Sequence, residues 1–196
     1  TNENINEIIA LDKLKVAGVK MFLGSSTGNL LVDNKKSIED ILKRSPILIA
    51  AHCEDDGIIN NNLALFKQKY NDNIPVKYHP EIRSEGACYK SSSEVIKMAE
   101  KTEAHLHIFH ISTGKETELL SNKPLREKKI TAEVCVHHLW FNESDYERLG
   151  TKIKWNPAIK KESDRQALIK ALKDGKIDVV ATDHAPHSIE EKSRPY

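Results

Sequence analysis

The sequence predicts an α/β fold built on a parallel sheet, and three observations carry that expectation. Short β-branched apolar runs alternate with longer stretches whose apolar residues recur at helical spacing. The apolar runs are nearly continuous, as strands buried on both faces require. Polar residues able to bind or react stand directly after those runs, where parallel α/β folds gather their chemistry.

Taken in order, Ile5, Ile8, Ile9 and Leu14 predict a first helix, which Gly18 ends. Val19–Leu23 reads as a strand and Gly24–Gly28 as a loop by composition. Ser37 can cap a helix reaching Lys43, and Pro46 opens a second strand, Ile47–Ala51. A helix over Glu54–Tyr70 places Ile58, Ile59, Leu63 and Phe66 on one face. Residues 71–84 show no periodicity and read as an irregular connection, followed by a helix over Glu85–Lys101. Leu106–Phe109 is the third strand, and Gly114 leads into a helix through Leu120. Ile130–Val136 is the fourth strand. A helical turn near Asp145–Leu149 and a helix over Glu162–Leu172 lead, after Gly175, to the fifth strand, Ile177–Ala181. No repeat, low-complexity tract or linker interrupts the chain, so residues 1–196 read as a single domain.

Composition narrows the function classes. Lys and Arg number 30 against 29 Asp and Glu, a net charge of +1, which gives no electrostatic footprint for nucleic acid or an anionic membrane. No apolar run approaches the roughly 20 residues that span a bilayer. Three cysteines lie far apart without a CxxC pair, which fits a reducing cytoplasm. Nine histidines are many for 196 residues. The chain opens on Thr1 and stops at Ser193–Tyr196 in what reads as a loop, so both ends read as cut from something longer.

The histidines fall where chemistry is expected. His52 follows the second strand, His110 the third and His137-His138 the fourth, while Thr182-Asp183-His184-Ala185-Pro186-His187 follows the fifth. Imidazoles and carboxylates converging at strand ends suit Zn²⁺ or a similar divalent ion. Lys20, inside the first strand, is the oddest residue: a buried ammonium is costly unless paired or neutralised, and the bland alternative is that it snorkels to the rim.

Gly18-x-Lys20-x-Phe22, Ala51-His52-Cys53-Glu54-Asp55, His110-x-Ser112-Thr113, Glu133-Val134-x-x-His137-His138-Leu139, Asn156-Pro157 and Thr182-Asp183-His184-Ala185-Pro186-His187 together resemble dihydroorotase, a cyclic-amide branch of the amidohydrolase superfamily. The resemblance runs through essentially the whole chain in the family's order, and Thr182–His187 is its most specific piece. It implies a partial (β/α)₈ TIM-type barrel of a metal-dependent hydrolase, about five parallel strands with helices outside. It also implies zinc, two ions per full-length subunit, bridged by Lys20 carboxylated on its side-chain nitrogen. Carboxylation would explain the lysine, because it turns a cation into a carboxylate able to span two metals. By the same resemblance His52 and His110 are metal ligands, Asp183 binds metal and shuttles the proton, and Asn156 and His187 hold the substrate. The implied substrates are the small molecules dihydroorotate and N-carbamoyl-L-aspartate, in a cytoplasmic enzyme whose full-length form could be a homodimer. The loop Gly24–Asn29 lies over the substrate or is a plain connection. His137 and His138 read as packing or hydrogen-bonding residues, and His184 as a group orienting Asp183.

The departures are as informative. The family's first-strand His-x-His is missing: His105-x-His107 is present but follows Lys20, in the wrong order. Its first-strand arginine and third-strand asparagine have no counterpart either. The chain therefore reads as barrel strands four to eight, and such a piece alone is expected to be inactive. The rivals are a dihydropyrimidinase, hydantoinase or allantoinase of the same superfamily, and a non-catalytic homologue that keeps the barrel and loses the ligands. Every ligand position within the span is filled, which argues against the second.

Overall fold

In a computed structural model that describes residues 1–26 and 29–194, five parallel strands pair strictly in chain order. They are β1 (Val19–Phe22), β2 (Ile49–His52), β3 (Leu106–Ile108), β4 (Ile130–Cys135) and β5 (Val179–Ala181). α1 (Ile5–Ile9) precedes the sheet and α2 (Lys35–Arg44) joins β1 to β2. α3 (Asp56–Tyr70), α4 (His79–Ile82) and α5 (Glu85–Thr102) join β2 to β3. α6 (Val136–Trp140), α7 (Asp145–Leu149) and α8 (Glu162–Lys173) join β4 to β5, and α9 (Ile189–Lys192) follows. Sequential parallel pairing is the arrangement of barrel strands, and the sheet as described is an open arc with β1 and β5 at its edges.

The main core gathers Met21, Ile49, Ala51, Leu106, Ile108, Ala132 and Val134 from the strands with Ile38, Ile41, Val95, Ile96 and Leu168 from α2, α5 and α8. Helices therefore pack on the outer face, as the sequence pattern requires. A satellite cluster seats α3 through Ile59, with Ile58, Leu63, Phe66 and Tyr70 beside it, over Ile74 and Ile82. The edges stay open: Lys20 of β1 is exposed, and Val179 and Val180 of β5 are 43% and 49% exposed.

Local side-chain chemistry accounts for where element boundaries differ from the sequence pattern. α1 stops at Ile9, and Leu14 is exposed instead of extending that helix face. Asn34, not Ser37, caps α2, accepting from Lys36 N at 3.0 Å and Ser37 N at 3.1 Å. Asp55 caps α3 by accepting from Ile58 N at 2.9 Å, so Glu54 stays outside the helix at the strand end. The irregular 71–84 connection contains a 3₁₀ turn, Val76–Tyr78, and α4. The helix expected through Leu120 is only a 3₁₀ turn, Glu116–Leu119. There the Glu116 carboxylate accepts from Ser112 N, Thr113 N and Thr113 Oγ1, and the Thr117 hydroxyl donates to Gly114 O, bonds that compete with helical pairing. β5 begins at Val179 because the Asp178 carboxylate turns inward to Lys128 Nζ at 2.7 Å and Ala132 N at 3.1 Å. β4 ends at Cys135, and His137-His138 lie within α6.

Candidate active site

The ends of β2 and β3 bring His52 and His110 together. Nδ1 of His52 lies 2.9 Å from Nε2 of His110, with the rings edge-to-face at 4.6 Å, and both residues are buried. Nε2 of His52 lies 2.9 Å from Glu54 Oε2, and Arg83 closes the corner by donating to the same carboxylate, its Nε 3.0 Å from Oε1. Burial raises the Glu54 pKa, but the His52 and Arg83 contacts outweigh it and hold the carboxyl well below the usual range. Gly24 makes this corner possible: a Cβ there would stand 2.0 Å from the Glu54 carbonyl oxygen.

The tautomers follow from these contacts. A carboxylate only accepts, so His52 Nε2 carries the proton. In the neutral pair His52 Nδ1 then accepts from His110 Nε2–H, and His110 Nδ1 is a bare lone pair. That atom is buried and has no hydrogen-bond partner. Burial, with His52 and His138 nearby, pushes the His110 pKa well down and keeps the ring neutral. A buried, neutral, unpartnered imidazole nitrogen beside a second imidazole fits a divalent metal. His110 also adopts φ +36°, in the left-handed region that costs a non-glycine residue about 1–3 kcal/mol.

Lys20 reaches the same corner from β1. Its Nζ lies 4.7 Å from the ring centre of Phe22 and 5.1 Å from that of Phe109, and these rings stand against His52 and His110 respectively. The lysine is exposed on the edge strand, so the expected burial is not met in this open arc.

The other predicted residues gather in a second place. Asn156, Asp183 and His187 line one cleft of about 300 Å³ with Trp155. All three are exposed, and Asp183 takes φ +42°, the second left-handed residue at a strand end of this site. His187 pairs with Glu191 at 3.5 Å. His79 supports the cleft from beneath, its Nε2 donating to the Trp155 carbonyl at 2.7 Å, while burial drives its pKa down to about 3. His184 lines the adjoining hollow with Trp140 and His137. The loop proposed to cover substrate, Gly24–Asn29, lies partly outside the described residues.

Sequence reasoning missed Glu54 and Arg83. Glu54 was legible in principle, standing two residues after a histidine at a strand end. Arg83, about thirty residues further on, carried no local signal.

Parallel strands paired in sequence, helices on the outer face and histidines at the strand ends define a segment of a (β/α)₈-type barrel, and solved structures match it. L-hydantoinase from Arthrobacter aurescens superposes with a TM-score of 0.87 at 18% identity, over 97% of this chain and 43% of that one. A dihydroorotase from Campylobacter jejuni gives 0.59 at 18%, over 91% and 46%. No protein-family model matches the chain. In sequence it is 32% identical to the dihydroorotase of Staphylococcus epidermidis over 96% of this chain and 43% of that protein. It is 37% identical to that of Macrococcus caseolyticus over 75% and 33%. In sequence the chain is similar to dihydroorotases, and in fold it matches a segment of the barrel seen in the hydantoinases and the dihydroorotase. It spans less than half the length of those relatives. No described helix is long and apolar enough to cross a membrane.

Proposed function

We propose that this chain carries the catalytic rim of a dihydroorotase, the metal-dependent enzyme that interconverts N-carbamoyl-L-aspartate and L-dihydroorotate. The observation that supports this most is the buried His52–His110 pair with its unpartnered lone pair, on the same strand-end rim as a cleft lined by Asp183, Asn156 and His187. His52, His110, Asp183 and a carboxylated Lys20 would hold zinc, two ions in the full-length subunit. A divalent ion there would lower the pKa of a bound water from 15.7 to roughly 7 and polarise the amide carbonyl.

The chain's own residues supply the rest. Asp183 takes the proton from the attacking water and returns it to the departing ring nitrogen, acting as base and then acid. Asn156 and His187 orient the substrate's ring and carboxylate from the wall of the cleft. Glu54 holds the His52 Nε2 proton and so fixes the tautomer whose Nδ1 faces the site, the role carboxylates play behind metal-binding histidines. The open arc becomes a reaction chamber only when further strands pair with β1 and β5, so activity belongs to the full-length protein, a cytoplasmic enzyme acting on small molecules, with no nucleic-acid or membrane partner, and working as a homodimer.

The hydantoinase likeness favours a second reading, hydrolysis of hydantoins or dihydropyrimidines, but at 18% identity it speaks for the fold alone. The test is hydrolysis by the zinc-loaded full-length protein of dihydroorotate, hydantoin and allantoin side by side. Turnover of dihydroorotate with little of the others is expected. Preference for hydantoin would overturn the assignment.

A further inference from the structure

His137 and His138, which the sequence reads as packing or hydrogen-bonding residues, form a cluster with Cys135. One ligand atom from each lies within 4.8 Å of the others, and all three residues are buried. Zinc bonds of about 2.0–2.3 Å bring donor atoms to within about 4 Å of one another, so small side-chain rotations close the set.

The orientation of His138 points to a ligand. Its Nε2 lies 3.2 Å from the Pro157 carbonyl oxygen. A carbonyl only accepts, so Nε2 carries the proton and Nδ1 is left as a lone pair. That Nδ1 is buried and has no hydrogen-bond partner. A carbonyl behind one imidazole nitrogen and an open lone pair on the other is the arrangement that fixes a metal-binding histidine. The His137 ring lies 4.4 Å from that of His138 and is clamped flat on Trp155, 4.4 Å away at 12°. Cys135, at the last position of β4, is fully buried as a free thiol. His137 also lines the hollow shared with Asp183, so a bound ion would be reachable from that side.

We propose that Cys135, His137 and His138 form a further divalent-metal site, a thiolate–imidazole site for Zn²⁺ or a similar borderline ion, separate from the His52–His110 corner. Binding forms one metal–sulfur and two metal–nitrogen bonds, and the thiol proton leaves to solvent. The mixed sulfur and nitrogen donors select zinc-like ions over Mg²⁺ or Ca²⁺. The site does not depend on the proposed activity, and its spectroscopic signature is distinct from that of a His, Asp and lysine-carbamate centre, which contains no sulfur.

The test is Co²⁺ reconstitution of the metal-stripped full-length protein, followed by near-ultraviolet absorption. A thiolate-to-cobalt charge-transfer band of the intensity of one cobalt–thiolate bond per chain is expected at saturation. Cys135→Ser should lose the band and one equivalent of metal, whereas Cys53→Ser and Cys88→Ser should keep both. His137→Ala, on the hollow's wall, should weaken the titration of the band by roughly 10–100-fold or more, and it decides the matter if Cys135→Ser fails to fold. Absence of the band at saturating Co²⁺, its survival in Cys135→Ser, or an unchanged titration in His137→Ala would each overturn the site.

Discussion

The two halves of the rim are built in opposite ways. At the ends of β2 and β3, His52, Glu54 and His110 are buried and bonded to one another and to Arg83. At the end of β5, Asp183, Asn156 and His187 are exposed, and the strand beneath them is half uncovered. In the first half the Glu54 charge is held by His52 and Arg83, and the one buried atom left without a partner is His110 Nδ1. The residues proposed to meet the substrate keep one side in water. On the proposed function the first half should therefore act on stability as well as chemistry, and the second on chemistry almost alone.

The largest test of that contrast falls on Glu54. Its carboxylate neutralises Arg83 and holds the His52 proton with no exposure of its own. Glu54→Gln would strand a largely buried guanidinium and leave His52 without its carboxylate, and breaking a buried pair from one side costs about 3–5 kcal/mol. Chemical denaturation of the full-length protein should show a loss of that order. A loss below about 1 kcal/mol would mean that water reaches the corner, and the contrast between the halves would collapse.

The same contrast explains what could be read from the sequence. The strands, their parallel order and the strand-end histidines were legible because apolar runs and the residue that follows them are local features. His52, His110 and Asp183 could be named from that pattern together with the family resemblance. The grouping of Asn156 with His187 came from resemblance alone. Arg83 was illegible because its meaning depends on a carboxylate 29 residues away that it meets only after α3 and α4 fold back. The Glu116–Leu119 turn was misread as a helix because its side chains outbid the backbone for hydrogen bonds, which periodicity does not record. His79 belonged to a stretch with no periodicity, and its bond to the Trp155 carbonyl, far along the chain, is not a local signal.

His79 provides an intermediate effect, in pH. Its folded-state pKa is depressed to about 3 from 6.5, with burial the first cause. A depressed value means that the unfolded chain binds the proton more readily, so the stability is fully present above pH 6.5 and is lost as pH falls toward 3. Between pH 7 and pH 5 this group should remove about 2 kcal/mol. His79→Gln keeps a donor for the Trp155 carbonyl and should flatten the acid limb by that amount relative to the unsubstituted protein. An identical pH profile for the two proteins would show that His79 is hydrated, and that the cleft wall is as open beneath as it is above.

The smallest stability effect, and the sharpest separation of the halves, belongs to Asn156 and His187. His187 meets Glu191 in an exposed pair that contributes little. Asn156 is exposed beside the cleft and buries no side chain. Asn156→Ala and His187→Ala should each change unfolding free energy by no more than about 0.5 kcal/mol. In the zinc-loaded full-length enzyme both should raise KM for dihydroorotate and lower kcat/KM, with bound zinc unchanged. A contact made in both ground and transition state appears mainly in KM, while one made only in the transition state appears in kcat. His187, four residues from Asp183, the proposed proton shuttle, should affect kcat more than Asn156 does. If His187→Ala instead released zinc, the residue would belong to the metal half, and the line between the two regions would have to be drawn on the other side of the Ala185-Pro186 turn.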